Sequence, residues 1–350
     1  MRVLISVQAL RAAAAIAVAI CHFNTIEQFM SGTSAQVGEL FPLSSGVDLF
    51  FVISGFVMVY SSEPFFGTPR AAANFLVKRL ARIAPLYWIV TLISIPVLSL
   101  AIDAPKLIAS AFFIPYRAPS GQIAPLYSPG WTLNYEMMFY VIFAVGLRWR
   151  RGIAVTGICG ALLLLVILGL LFQPQFAPFA YWSSPIILEF GFGMILAVVL
   201  LEGFALPSSA RLFLIAAGMI AVWLPVPTTM VSNYRVLVWG IPAAAILAGA
   251  VLGKDEADAG PISGLAKLLG DASYSIYLIH PLVANLIYKF LPHGPRDHLI
   301  SSPLAVGLIV AIVLSVAIFR WFERPMTRSL SSILKRPAYT EPIITNAQNY

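Results

Sequence analysis

Ten apolar stretches run through this chain, near 8–29, 45–62, 84–102, 131–147, 153–172, 180–201, 210–225, 234–252, 268–290 and 302–322. Each is close to the ~20 residues that a helix needs to cross the hydrocarbon core of a bilayer. The pattern predicts an all-α, polytopic membrane protein with about ten transmembrane helices. Composition agrees, since 59% of the 350 residues are hydrophobic and 11% are charged, which excludes an ordinary soluble domain. The formal charge of +7 is dispersed among short connections and forms no basic face, so no nucleic-acid partner is expected.

The connections assign a direction. With the N-terminus inside, sixteen Arg and Lys residues fall on the cytoplasmic set and five on the outer set: Lys106, Arg117, Arg235, Lys289 and Arg296. Cytoplasmic loops hold the basic excess, so ten helices with both termini cytoplasmic are expected. Arg11 interrupts the first apolar run, and "VAIC" has Ile where signal cleavage prefers a small residue, so this run reads as a retained helix. Residues 1–330 read as one transmembrane domain, and the chain turns polar after Glu323, with 331–350 a cytoplasmic, partly disordered tail. The outer connection 103–130, rich in Pro and Gly, is too long for a simple hairpin and is a candidate cover for a site.

Polar residues inside apolar runs are the candidates for chemistry. In "LRAAAAIAVAICHF" Arg11 and His22 are eleven positions apart, which returns them to one helix face within about 20°, roughly 16 Å apart along the axis. Ionisable groups in hydrocarbon face a polar interior, so a cavity along this helix is one reading. The other is an Arg11 that snorkels to the inner headgroups and a His22 with one structural hydrogen bond. Cys21 beside His22 does not form a dyad, because adjacent helical positions diverge by about 100°. Cys21 and Cys159 both lie in apolar runs and support neither a disulfide framework nor a metal site.

In "FLVKRLARIAP" Lys78, Arg79 and Arg82 fall within one arc at the cytoplasmic start of the third helix, a cluster suited to phosphates or to anchoring at the inner headgroups. Glu136 in "SPGWTLNYEMMFY" is an intramembrane carboxylate and a site candidate, or else a structural partner for a cation. Asp48 reads as structural, and Ser54 and Gly55 as small residues for helix packing. His280 precedes Pro281, which frees a backbone carbonyl and bends the helix, so hydrogen bonding is its expected role as much as catalysis. His293 and His298 in "HGPRDH" have few further ligands nearby, and no metal is expected.

These islands, in this order, resemble the integral-membrane acyltransferase family 3, which O-acylates bacterial sugars and other acceptors. The resemblance rests on "LRAAAAIAVAICHF", "GVDLFFVISGFVM", "FLVKRLARIAPLYW", "SPGWTLNYEMMFYVIF", "SYSIYLIHPL" and "WFERP". "LNYEMMFY" looks most like the branch that acetylates exopolysaccharides. The resemblance implies ten helices in a bacterial cytoplasmic membrane and acetyl-CoA, or another acyl-CoA, as donor. It implies a carbohydrate or lipid-linked oligosaccharide as acceptor and lipid as surroundings. It further implies donor-binding roles for Arg11, Arg79 and Arg82 and catalytic roles for His22 and Glu136. Many relatives have a second acid directly after that glutamate; Met137 stands here, so a role needing paired carboxylates does not carry over. The hydrolase-like domain that some relatives carry after the last helix is not expected.

The mechanism expected from these residues has CoA phosphates on the arginines and His22 taking the proton of a sugar hydroxyl, with Glu136 orienting the imidazole or binding the acceptor. Two alternatives stay open: another donor or acceptor (succinyl, lipid, small molecule), and a carrier for a lipid-linked sugar. Such carriers often show two related halves, which this sequence lacks.

Overall fold

The computed structural model describes residues 4–30, 41–253, 261–290 and 302–334. The regular structure among these residues is helical, with no named strand and a single isolated bridge between Arg117 and Ile123. The helices are α1 (Ile5–Met30), α2 (Gly46–Ser62), α3 (Ala71–Val97), α4 (Ala104–Ala111), α5 (Gly130–Gly146), α6 (Arg151–Phe172), α7 (Ala177–Trp182) and α8 (Leu188–Leu201). They continue as α9 (Ser208–Val222), α10 (Thr228–Arg235), α11 (Ile241–Val251), α12 (Pro261–Asp271), α13 (Ser273–Phe290), α14 (Ser302–Ile318) and α15 (Arg324–Leu334).

Each expected apolar run falls on helix, and the boundaries differ where polar residues face inward. Five helical stretches are long and apolar enough to cross a membrane: Ile5–Ile26, Pro42–Phe65, Ala71–Val97, Arg151–Phe172 and Leu304–Leu330. Three further apolar helices, Pro185–Leu201, Ser208–Val222 and Val236–Val251, are shorter. Helix α6 shows how such a segment meets lipid. Its buried positions Ala154, Val155, Ile158, Leu162 and Val166 form one helical stripe, while Leu163, Leu164, Ile167, Leu170 and Leu171 are exposed. An apolar surface of this kind is stable in hydrocarbon and not in water.

Helix α3 starts at Ala71, well before the apolar run expected from 84, because its first turns are amphipathic and carry Lys78, Arg79 and Arg82 inside the helix. It ends at Val97, short of the expected 102, and Ser99 follows with φ 51°. The run 268–290 is two helices, α12 and α13. A π-helical turn, Phe319–Glu323, leads directly into α15, which packs on α3. Residues 335–350 lie outside the described residues.

Close packing of α2 on α8 depends on two glycines. A Cβ at Gly193 would fall 1.8 Å from the Val52 carbonyl oxygen, and one at Gly55 would fall 2.0 Å from that of Phe190. The backbones touch, as small residues permit in membrane helices. Ser54, expected to pack beside Gly55, instead lines the central cavity.

Contacts between helix ends sort into two sets. At one end Arg151 bonds Glu63 at 2.6 Å and also Glu202, Gly67 N–H bonds the Leu147 carbonyl at 2.9 Å, and Leu206 N–H bonds that of Leu252 at 2.8 Å. At the other, Arg235 pairs with Asp48, Arg117 donates to the Gln175 carbonyl at 3.3 Å, and the Trp182 indole donates to that of Asn134 at 3.0 Å. Every one of these links joins connections that strict alternation assigns to the same side.

Candidate active site

A cavity with about 780 Å³ of empty space, its mouth included, opens between α1, α2, α3, α5 and α13. Its polar lining includes Arg11 from α1, Ser54 from α2, Arg79 and Arg82 from α3, Thr132, Glu136 and Tyr140 from α5, and Ser273, Tyr274 and Tyr277 from α13. The amphipathic start of α3 and the polar island of α5 therefore point into one space. Lys78, by contrast, is exposed, with its ammonium 5.5 Å from the Phe65 ring centre, as an anchoring residue should be.

Arg11, Arg79 and Arg82 share this space without a direct ion pair to any described residue. Arg79 lies over the rings of Phe75 (5.3 Å) and Tyr140 (6.0 Å) and reaches Ser61 Oγ at 3.5 Å, while its buried Nε has no hydrogen-bond partner. Glu136 accepts from the Tyr140 hydroxyl at 3.0 Å and interacts electrostatically with Arg11, Arg82 and Arg79. Glu323 of "WFERP" accepts from Ser275 Oγ at 2.5 Å and interacts electrostatically with Arg82 and Arg11 from below the cavity. Among the described residues, no acidic group comes within ion-pair distance of Arg11, Arg79 or Arg82. Three guanidinium groups lining one empty space, one of them stacked on aromatic rings, are a binding arrangement for an anion with several charges.

His22 is not among the lining residues. It lies further along α1, where its Nδ1 is 2.7 Å from Nε2 of His280, a ring that is 0% exposed. His280 Nδ1 lies 3.0 Å from the Ile276 carbonyl, and its ring is 6.1 Å from that of Tyr277, which does line the cavity. The histidine pair thus stands behind Tyr277, one layer beyond the arginines. Glu136 does not orient the imidazole: its hydrogen bond goes to Tyr140, and the partner of His22 is His280. The segment 103–130 is tied down beside this layer, since the Tyr127 hydroxyl donates to the Leu278 carbonyl at 2.6 Å, three residues before Pro281. Cys21 is buried as a free thiol, and the ring nitrogen of His22 that is bonded turns to His280 instead, as helix geometry required.

A second charged cluster was read from sequence only through Asp48. Asp48, 0% exposed, accepts from Nε and one terminal nitrogen of Arg235, both at 2.8 Å. Arg235 lies 4.9 Å from the Trp239 ring centre and 5.9 Å from that of Trp131, and Glu189, also 0% exposed, adjoins the pair. The signal for Glu189 was present, a lone carboxylate inside the run 180–201. That for Arg235 was hidden, because it counted as a loop charge.

Among the described residues, no group of three or more His, Cys, Asp or Glu side chains is arranged to hold a metal ion, and His293 and His298 lie outside those residues.

The acyltransferase 3 family model, an acyltransferase domain, matches residues 4–321. The chain belongs to this family. It is 35% identical to the exopolysaccharide production protein ExoZ of Rhizobium meliloti (strain 1021) over 308 residues, which is 81% of this chain and 90% of that protein. It is 27% identical to the acyltransferase MdmB of Streptomyces mycarofaciens over an alignment of 382 positions, covering 96% of this chain and 94% of the other. No solved structure matches. The chain is therefore an O-acyltransferase of the membrane, and the carrier reading has no further support.

Proposed function

We propose that this protein moves an acetyl group from acetyl-CoA to a sugar hydroxyl of an exopolysaccharide or of its lipid-linked precursor, in the cytoplasmic membrane of a bacterium. The observation that carries the donor is the set of three arginines around one cavity, none in a direct ion pair with a described residue. The acceptor class rests on the likeness to a protein of exopolysaccharide production. Ten spans with both termini cytoplasmic fit the alternating end contacts, and the basic excess sets the absolute direction. Residues 1–330 act as one catalytic domain.

Phosphates of the donor bind Arg11, Arg79 and Arg82, and the extended pantetheine arm carries the thioester toward His22. The acceptor oxygen attacks the acetyl carbon while His22 takes its proton. The tetrahedral intermediate then collapses, the carbon–sulfur bond breaks, and CoA leaves as the thiol with the proton returned from His22. With the imidazole partnered by His280, the role left to Glu136 is to bind the acceptor.

The decisive experiment compares polymer from cells with and without the gene for ester-linked acetyl groups, and measures acetyl transfer in membranes carrying His22→Gln. Glutamine keeps size and hydrogen bonding, so loss of about 10²–10⁴ in rate is expected only of a general base. An active, normally inserted His22→Gln protein removes this residue from the mechanism. Impermeant thiol labelling of single cysteines at Ser120 and Arg150 tests direction: reaction from outside is expected at the first position alone.

A further inference from the structure

We infer that His280 is a positioning residue for His22: it fixes the His22 ring as the Nδ1–H tautomer and so leaves Nε2 as the free base. This rests on the proposal that His22 accepts the acceptor proton.

Atom types alone give the direction of the chain. The Ile276 carbonyl can only accept, so the contact at 3.0 Å requires a proton on His280 Nδ1. In a neutral imidazole the other nitrogen then carries the lone pair. Nε2 of His280 faces Nδ1 of His22 at 2.7 Å, a distance that two lone pairs do not adopt, so His22 supplies the proton. A doubly protonated His280 would reverse this bond. That ring is 0% exposed, its neighbours are His22, Tyr277 and the backbone, and among the described residues no carboxylate bonds either ring. A buried cation without a counter-charge is costly, which leaves the neutral form.

Ring geometry agrees. A ring nitrogen lies about 1.2 Å from the centre of its ring, so a separation of 2.7 Å between nitrogens and 5.0 Å between centroids makes the two centres and the two nitrogens nearly collinear. The planes differ by 23°, so the rings meet edge to edge with the bond in plane, not face over face. When Nε2 of His22 gains a proton, the resulting imidazolium still donates through Nδ1 to His280, and that bond becomes charge-assisted. Positioning partners of this kind orient a ring and raise its basicity.

The tests use the full-length protein in membranes or detergent. His280→Gln and His280→Met are nearly isosteric, and glutamine offers His22 Nδ1–H a strong amide-oxygen acceptor where methionine offers only a weak thioether sulfur. We expect Met to lower kcat by about 10–100-fold with the donor KM within twofold, and Gln to recover at least a tenfold share of that loss. In His22→Ala, adding His280→Met should cost nothing further, because His280 acts only through His22. Equal kcat for Gln and Met, or a further loss in the double variant, overturns the inference. Should the Met variant fail to insert, nitrogen-15 NMR of the wild-type protein decides alone. With four histidines in the chain, the tautomer signal of His22 is expected at Nδ1–H, and an Nε2–H signal overturns the inference. If His22→Ala stays active, the base reading itself has failed; if it is inactive while His280→Met is normal, only the His280 role has failed.

Discussion

Two buried charge clusters occupy opposite ends of this bundle, and they solve the same problem differently. In one, Asp48 takes two nitrogens of Arg235, and Trp239 and Trp131 flank the guanidinium. In the other, Arg11, Arg79 and Arg82 surround empty space, and the nearby carboxylates of Glu136 and Glu323 bond to hydroxyl groups. A charge that meets its partner within the chain braces helices; a charge held on aromatic rings and turned toward a void waits for something from outside. The difference teaches that burial of a charge marks a ligand site only where the chain declines to neutralise it.

Breaking the brace should give the largest effect. Arg235→Met leaves Asp48 buried beside Glu189 with no cation, and loss of one partner from a buried pair costs about 3–5 kcal/mol. The expected result is a large fall in thermal stability or in inserted protein. The same replacement of Arg79 should leave both unchanged within experimental error, and comparable destabilisation by the two would end the distinction.

The cavity responds through affinity instead. Arg79→Ala or Arg82→Ala removes charge-assisted phosphate contacts of about 1.5–3 kcal/mol, so the donor KM rises roughly 10–100-fold while kcat at saturating donor falls much less. An unchanged donor KM in both variants would reduce these arginines to membrane anchors. Glu136→Gln sharpens the picture within the cavity: it should raise the acceptor KM by about tenfold, near 1.4 kcal/mol, and leave the donor KM alone. Kinetics with the two substrates varied separately distinguish it from an arginine effect. Cys21→Ala, at the small end, should change acyl transfer by less than twofold, since no thiol–imidazole contact exists to lose.

Hydropathy made the helices legible, because lipid punishes any other backbone arrangement. It misplaced the start of α3 by thirteen residues, from 84 to 71, since a helix that turns arginines toward a cavity is too polar in its first turns to register as a span. It gave no sign that a polar amphipathic helix, α15, follows Glu323 and packs against α3. Of the site, Arg11, Arg79, Arg82 and Glu136 were readable as charges out of place, and they share one cavity. The union of His22 with His280 was not, because 258 residues separate them and no local pattern encodes such a distance.

Helix α1 carries both Arg11 and His22 on one continuous rod, Ile5–Met30, and a rod has phase as well as length. One residue inserted between them would lengthen the interval by only about 1.5 Å but swing His22 through about 100°, away from His280. Seven inserted residues would restore its bearing to within about 20° while moving it roughly 10 Å further out. A flexible carrier arm can absorb a small change of reach, yet nothing can absorb a change of bearing, so the first helix behaves as a keyed shaft rather than a simple spacer.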